Sequence, residues 1–232
     1  MTIRAVCFDL DGTLLRDDHV DGVVLRVARE LASRYDLDAD ALAAANERVW
    51  WDYWPEVGEA WMRGQIPGDD VPIEVWRRAL AEVGVTDASA ATAAVALHTG
   101  LEGEAFSLYP ESVEVLDALR ERGIRIAIVT NGPSGLQRAK LRAVDLEGAA
   151  DVVVVSGEHG THKPDPAIFA LTVEALGVAA DETLFVGDNQ VADVGGARAA
   201  GLTAVWIDRR GVERTCEPHA VVTDLRDLLT LV

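Results

Sequence analysis

The chain has 232 residues, enough for one large domain or one domain carrying a smaller insert, and its composition is ordinary for a globular protein at 49% hydrophobic and 26% charged. A formal net charge of −18 sets the surface against nucleic acid and anionic membranes, so neither is an expected partner. No apolar run approaches the ~20 residues needed to cross a bilayer, and the N-terminal stretch lacks the long apolar core of a secretory signal, so a cytoplasmic location is expected. Cys7 and Cys216 show no metal-type spacing and read as free thiols in a reducing compartment.

The first apolar run, Ile3 to Leu10, reads as a buried strand ending at Asp11-Gly12. The next strand signal comes only at Ile124 to Val129. Between them, Val20 to Tyr35, Ala39 to Trp54, Pro72 to Val83 and Ala88 to Gly100 carry helical periodicity, separated by breaks rich in Gly, Pro and Asp. After Pro110 helices and strands alternate. A helix at Glu111 to Arg122 precedes the Ile124 strand, and one at Ser134 to Val144 precedes Val152 to Val155. Helices at Pro166 to Leu176 and Val191 to Ala200 precede strands at Thr183 to Val186 and Leu202 to Ile207, and a short strand follows at Ala220 to Val222. This order predicts an α/β fold with a doubly wound parallel sheet, its strands covered on both faces. The expected core spans residues 1–15 and 108–232, with an α-helical insert over 16–107.

Ligands of such sheets bind beyond the carboxyl ends of the strands. In order, those ends carry Asp9, Asp11 and Gly12; then Thr130, Asn131 and Gly132; then Ser156 and Gly157 with Lys163 beyond; then Asp188 and Asp193. Clustered carboxylates repel one another unless a cation or protons compensate. An all-oxygen set of this kind suits Mg²⁺ with a substrate phosphate. The metal and Lys163 would supply the local positive charge that a −18 surface lacks. Thr130 and backbone N–H groups at a strand-to-helix turn can donate to phosphate oxygens. Asp9 and Asp11, two apart in an extended segment, point the same way, so one can attack phosphorus while the other handles protons.

The segments VCFDLDGTLL, VTNG, HKPDPAIF and VGDNQVADVGGARAAG resemble, in order, the four motifs of the haloacid dehalogenase superfamily. The core resemblance covers about 140 residues, and the helical insert matches the place of that superfamily's α-helical cap. It implies that Asp9 is a nucleophile forming an aspartyl-phosphate and that Asp11 is the acid and base, its carbonyl touching Mg²⁺. It also implies that Thr130 and Asn131, with Gly132, hold the phosphoryl group, that Lys163 neutralises charge, and that Asp188 and Asp193 bind the metal or its water. The expected activity is Mg²⁺-dependent hydrolysis of a small phosphorylated metabolite, by a monomer or a homodimer.

Asp11 opposes a haloacid dehalogenase, which has no alkoxide to protonate. A phosphonatase needs a cap lysine, whereas Lys140 and Lys163 both fall in the expected core. A phosphomutase, or a non-catalytic module on the same fold, stays open. Lys140 reads as a surface or packing residue in mid-helix. The tryptophans of the insert, Trp50, Trp51, Trp54, Trp61 and Trp76, read chiefly as its core, with one or two available to line a pocket. Arg63, Arg77 and Arg78 read as surface residues within possible reach of an anion, and His19, His159 and His162 as loop residues. The linkers Leu14 to Asp21 and Gly103 to Tyr109 are expected hinges.

Overall fold

A run of small and β-branched apolar residues with no polar interruption can be buried on both faces, and the first strand, β1 (Ala5–Phe8), is fully buried. The structure, a computed structural model, describes residues 2–232. After β1 come four helices, α1 (Val20–Tyr35), α2 (Ala39–Met62), α3 (Asp70–Glu82) and α4 (Ala88–Ala105). Alternation then begins: α5 (Ser112–Glu121), β2 (Arg125–Thr130), α6 (Ser134–Ala143), β3 (Val152–Val155), the single turn α7 (Ser156–His159) and α8 (Pro166–Leu176). The chain closes with β4 (Thr183–Gly187), α9 (Gly196–Ala199), β5 (Thr203–Ile207) and β6 (Ala220–Val222).

All six strands are parallel, in the order β3-β2-β1-β4-β5-β6. Alternate residues feed opposite layers. Val6, Phe8, Ile126 and Ile128 pack on one face against α5, whereas Ala5, Cys7, Ala127 and Val129 meet Ile168 and Phe169 of α8 on the other. The expected doubly wound parallel sheet is thus present. Because β2 lies on one side of β1 and β4 on the other, the winding reverses at β1 and opens a crevice beyond its carboxyl end.

Helices α1 to α4 enclose an apolar core of their own, including Val27, Leu42, Trp76 and Leu80. Two strands of linker join them to the sheet side by side. Arg16 N–H donates to the Ser107 carbonyl at 2.9 Å and Tyr109 N–H to the Leu14 carbonyl at 3.0 Å. Arg209 pins this ribbon: it pairs with Glu111 at 2.5 Å, donates to the Thr13 carbonyl at 2.8 Å and lies over the Tyr109 ring.

Three elements differ from expectation, and the first is α4, which runs past Gly100 to Ala105 and takes the start of the expected Gly103 linker into the helix. α2 does not stop at Trp54 but runs through Pro55 to Met62, 24 residues in all. Trp50 stacks on Trp54 and both meet Trp61 edge-on, so packing across the proline compensates the lost backbone bond. Gly58 serves that packing, since a Cβ there would lie 2.6 Å from the Trp54 ring. The helix expected from Val191 begins instead as a wide π-type turn, Gln190–Gly195, before the short α9. Such turns frequently mark functional sites.

Candidate active site

The three central strands deliver polar groups to the crevice. Asp9 and Asp11 follow β1, Thr130 ends β2, Asp188 follows β4, and Asp193 sits in the wide turn beyond it. Asp9 is 6% exposed and Asp193 1% exposed, both far below what solvated carboxylates show. Lys163, on the loop before α8, lies 2.5 Å from Asp9 Oδ1 and 2.8 Å from Asp193 Oδ1. Asn131 sets that loop with both ends of its amide: Nδ2 donates to the Lys163 carbonyl at 2.8 Å, and Oδ1 accepts from the Lys163 N–H at 2.9 Å.

Glycines make room for the acids. A Cβ on Gly187 would fall 2.3 Å from Asp193 Cγ, and one on Gly12, whose φ is +79°, 2.6 Å from Asp188 Oδ2. Asp193 Oδ2 accepts from the Asn189 N–H at 2.9 Å, and the Asp188 carbonyl accepts from the Trp206 indole. As a result, carboxylate oxygens of Asp9, Asp188 and Asp193 gather within 4.8 Å of one another.

Three acids share one lysine, and the electrostatics register the imbalance. Burial pushes the Asp9 carboxyl well above its usual range; Lys163 opposes this, while Asp193 and Asp188 add to it. Burial, then the Asp193 charge, raises Asp188 to about 6. Burial works against the Lys163 ammonium, but Asp193 and Asp9 outweigh it and raise its pKa. A hard divalent cation fits this all-oxygen donor set and would compensate the remaining negative charge.

Asp11 stands apart from that cluster. Its Oδ1 accepts from Lys140 Nζ at 2.8 Å and its Oδ2 from Gln137 Nε2 at 2.9 Å, both from α6. Burial opposes its ionisation, yet Lys140 and Gln137 prevail and hold its pKa below the usual value. Gln137 also donates to the Thr130 hydroxyl. Lys140 is therefore a site residue rather than the surface or packing residue its mid-helix position suggested. Three residues apart on a helix, Gln137 and Lys140 share one face, and that spacing was the available signal.

The expected phosphoryl-holding group is only partly free. The Thr130 hydroxyl is engaged by Gln137, the Asn131 side chain is committed to the Lys163 backbone, and Gly132 N–H donates to Ser156 Oγ at 2.8 Å. Arg77 and Arg78 pair with Glu74 and Arg63 with Glu59, and none of the three lines the cavity beside Asp11. That cavity, of about 730 Å³, is walled by α1 to α4 on one side and by the β2–α6 turn and α6 on the other. Trp50, Trp61 and Trp76 line it while also packing in the helical core, whereas Trp51, 64% exposed, lines it from outside that core, contrary to expectation.

Residues 3–201 match the profile of the haloacid dehalogenase-like hydrolases. The chain belongs to that family. This hydrolase is 36% identical to a phosphoserine phosphatase of Thermus thermophilus, across 97% of this chain and 98% of the relative. It is 29% identical to a phosphoglycolate phosphatase of Shigella boydii, across 98% and 91%. Among solved structures, an L-2-haloacid dehalogenase superposes with a TM-score of 0.75 at 29% identity, covering 100% of this chain and 99% of that one. The similar proteins thus include phosphatases and a dehalogenase on one fold, and the side chains must discriminate between the activities.

Proposed function

We propose that this hydrolase is a Mg²⁺-dependent phosphatase that cleaves a small phosphate monoester through phosphorylated Asp9. One observation carries the reading. Asp9 is buried with one oxygen against Lys163, beside Asp188 and Asp193, while a second acid, Asp11, stands two residues on with partners of its own. A dehalogenase needs no such second acid. The relatives named for two different phosphate esters support the class of reaction rather than one substrate.

In the first half-reaction Asp9 Oδ2, the oxygen away from Lys163, attacks phosphorus. The bond from phosphorus to the leaving oxygen breaks, and Asp11 gives that oxygen the proton it took from water in the preceding turnover. In the second half, water attacks the phosphoryl group, Asp11 takes the water's proton, and Asp9 is released as carboxylate. Lys140 and Gln137 hold Asp11 in the ionised form that the second half requires. Lys163 offsets charge between Asp9 and the arriving phosphate, with the Thr130 hydroxyl and the backbone of Asn131 and Gly132 bordering the transferred group. Asp188 and Asp193, with Asp9 and the Asp11 carbonyl, would hold Mg²⁺. When bound, the metal supplies charge neutralisation and alignment of the phosphoryl oxygens.

Residues 16–107 would act as a cap over a core of 1–15 and 108–232, swinging on the paired linkers to admit substrate and exclude water. Hydrolysis of p-nitrophenyl phosphate, with Mg²⁺, with EDTA and in Asp9→Asn, tests the proposal. Metal-dependent release lost in the variant is the expected result, and release that survives the substitution contradicts it.

A further inference from the structure

The cavity beside Asp11 has a one-sided charge. Besides Asp11, its wall carries Asp21, Asp40, Glu47, Asp69 and Glu102, and among the described residues its only cation is Lys140, already paired with Asp11. The remainder is largely apolar, with Trp50 and Trp61 meeting nearly at right angles, at 82° and 6.0 Å between ring centroids. A further carboxylate or phosphate on the leaving group would enter this space without a partner, and burying an unpaired charge is costly. An ammonium would meet carboxylates and aromatic faces instead.

An independent feature indicates a polar ligand. Asn46, on α2, lines the same cavity, is 6% exposed, and its Nδ2 has no hydrogen-bond partner. A buried amide donor left unpaired is expensive, and a ligand oxygen would satisfy it.

Resting on the phosphatase reading, we infer that the preferred substrate is the phosphate monoester of an amino alcohol, carrying an ammonium for the acidic wall and an acceptor oxygen for Asn46. The charge part is tested with three esters of one length that differ at the far end: 2-aminoethyl, 2-hydroxyethyl and carboxymethyl phosphate. The expected order of kcat/KM is aminoethyl, hydroxyethyl, carboxymethyl, with about tenfold between the first two at low salt. That ratio shrinks at high ionic strength and in Glu47→Gln/Glu102→Gln. The acceptor part is tested with 2-amino-3-hydroxypropyl against 2-aminopropyl phosphate, where the hydroxyl should lower KM and Asn46→Ala should erase the advantage.

Equal turnover of the three esters, or preference for carboxymethyl phosphate, overturns the charge assignment. A hydroxyl advantage that is absent, or that persists in folded Asn46→Ala, overturns the acceptor assignment. Turnover of p-nitrophenyl phosphate alone overturns the substrate class while leaving the phosphatase reading intact. Absence of turnover on every ester removes both.

Discussion

Lys140 Nζ donates to Asp11 Oδ1 at 2.8 Å, so α6 reaches across the site to hold the second acid of the first strand end. Replacing the lysine leaves Asp11 with Gln137 as its remaining side-chain partner, free to rotate away from the leaving oxygen. Lys140→Met should therefore slow alkyl phosphate hydrolysis by about tenfold, within the range that a positioned acid–base group contributes. The loss should be smaller for p-nitrophenyl phosphate, whose leaving oxygen needs little help from a proton. Equal losses on both esters would remove Asp11 positioning as the role of Lys140.

The acidic cluster makes the metal-free protein sensitive to pH. Asp188 titrates in the folded state near 6, above its ordinary value, so the native form holds a proton that the unfolded chain has released. Stability is then fully present below the unfolded pKa and lost as pH rises through about 6. In EDTA the melting temperature should rise as pH falls from 7 towards 5, until other groups intervene. Mg²⁺ at about 100 times its Kd should add about 2.7 kcal/mol at neutral pH and blunt that dependence. Asp188→Asn should be more stable than the native protein in EDTA and gain little from Mg²⁺. Thermal melts at two pH values, with and without metal, read all of this.

Gly58 should resist the usual benefit of alanine in a helix. Propensity alone favours Gly58→Ala by about 1 kcal/mol. The new Cβ would sit 2.6 Å from the Trp54 ring and break the stack on Trp50 and Trp61, an overpacking cost of about 1–3 kcal/mol. Urea unfolding should show net destabilisation, and a gain in midpoint would contradict the packing account.

Arg209, part-buried, pairs with the buried Glu111 at the linker ribbon. Arg209→Met leaves Glu111 without its cation and should cost about 3 kcal/mol. Arg209→Met/Glu111→Met should recover part of that loss, and a double variant no better than the single would show that packing on Tyr109 matters more.

The sheet was legible because its strands are near-continuous apolar runs separated by helical periodicity, a pattern that physics restricts to few topologies. The convergence of Asp9 with Asp188 and Asp193 was legible because the carboxyl ends of the adjacent parallel strands β1 and β4 share one rim. Lys140 escaped because its partner lies 129 positions away along the chain, and periodicity shows a helix face without showing what that face meets. Arg209 was missed similarly, following β5 with no local signal for its contacts to Glu111 and Thr13. Pro55 and Gly58 are local breakers that hide the full length of α2 in the sequence, whereas the tryptophan stack that overrides them is set by packing.

A covalent bond between Asp9 and phosphorus is tested most directly by chemical trapping. The enzyme is quenched in acid during turnover with Mg²⁺ and substrate, then reduced with borohydride, which converts a phosphorylated aspartate to homoserine, and the peptides are analysed by mass. Homoserine at position 9, dependent on substrate and absent from Asp9→Asn, is the predicted result. Steady turnover with no modified residue, or with the modification at another aspartate, would contradict it.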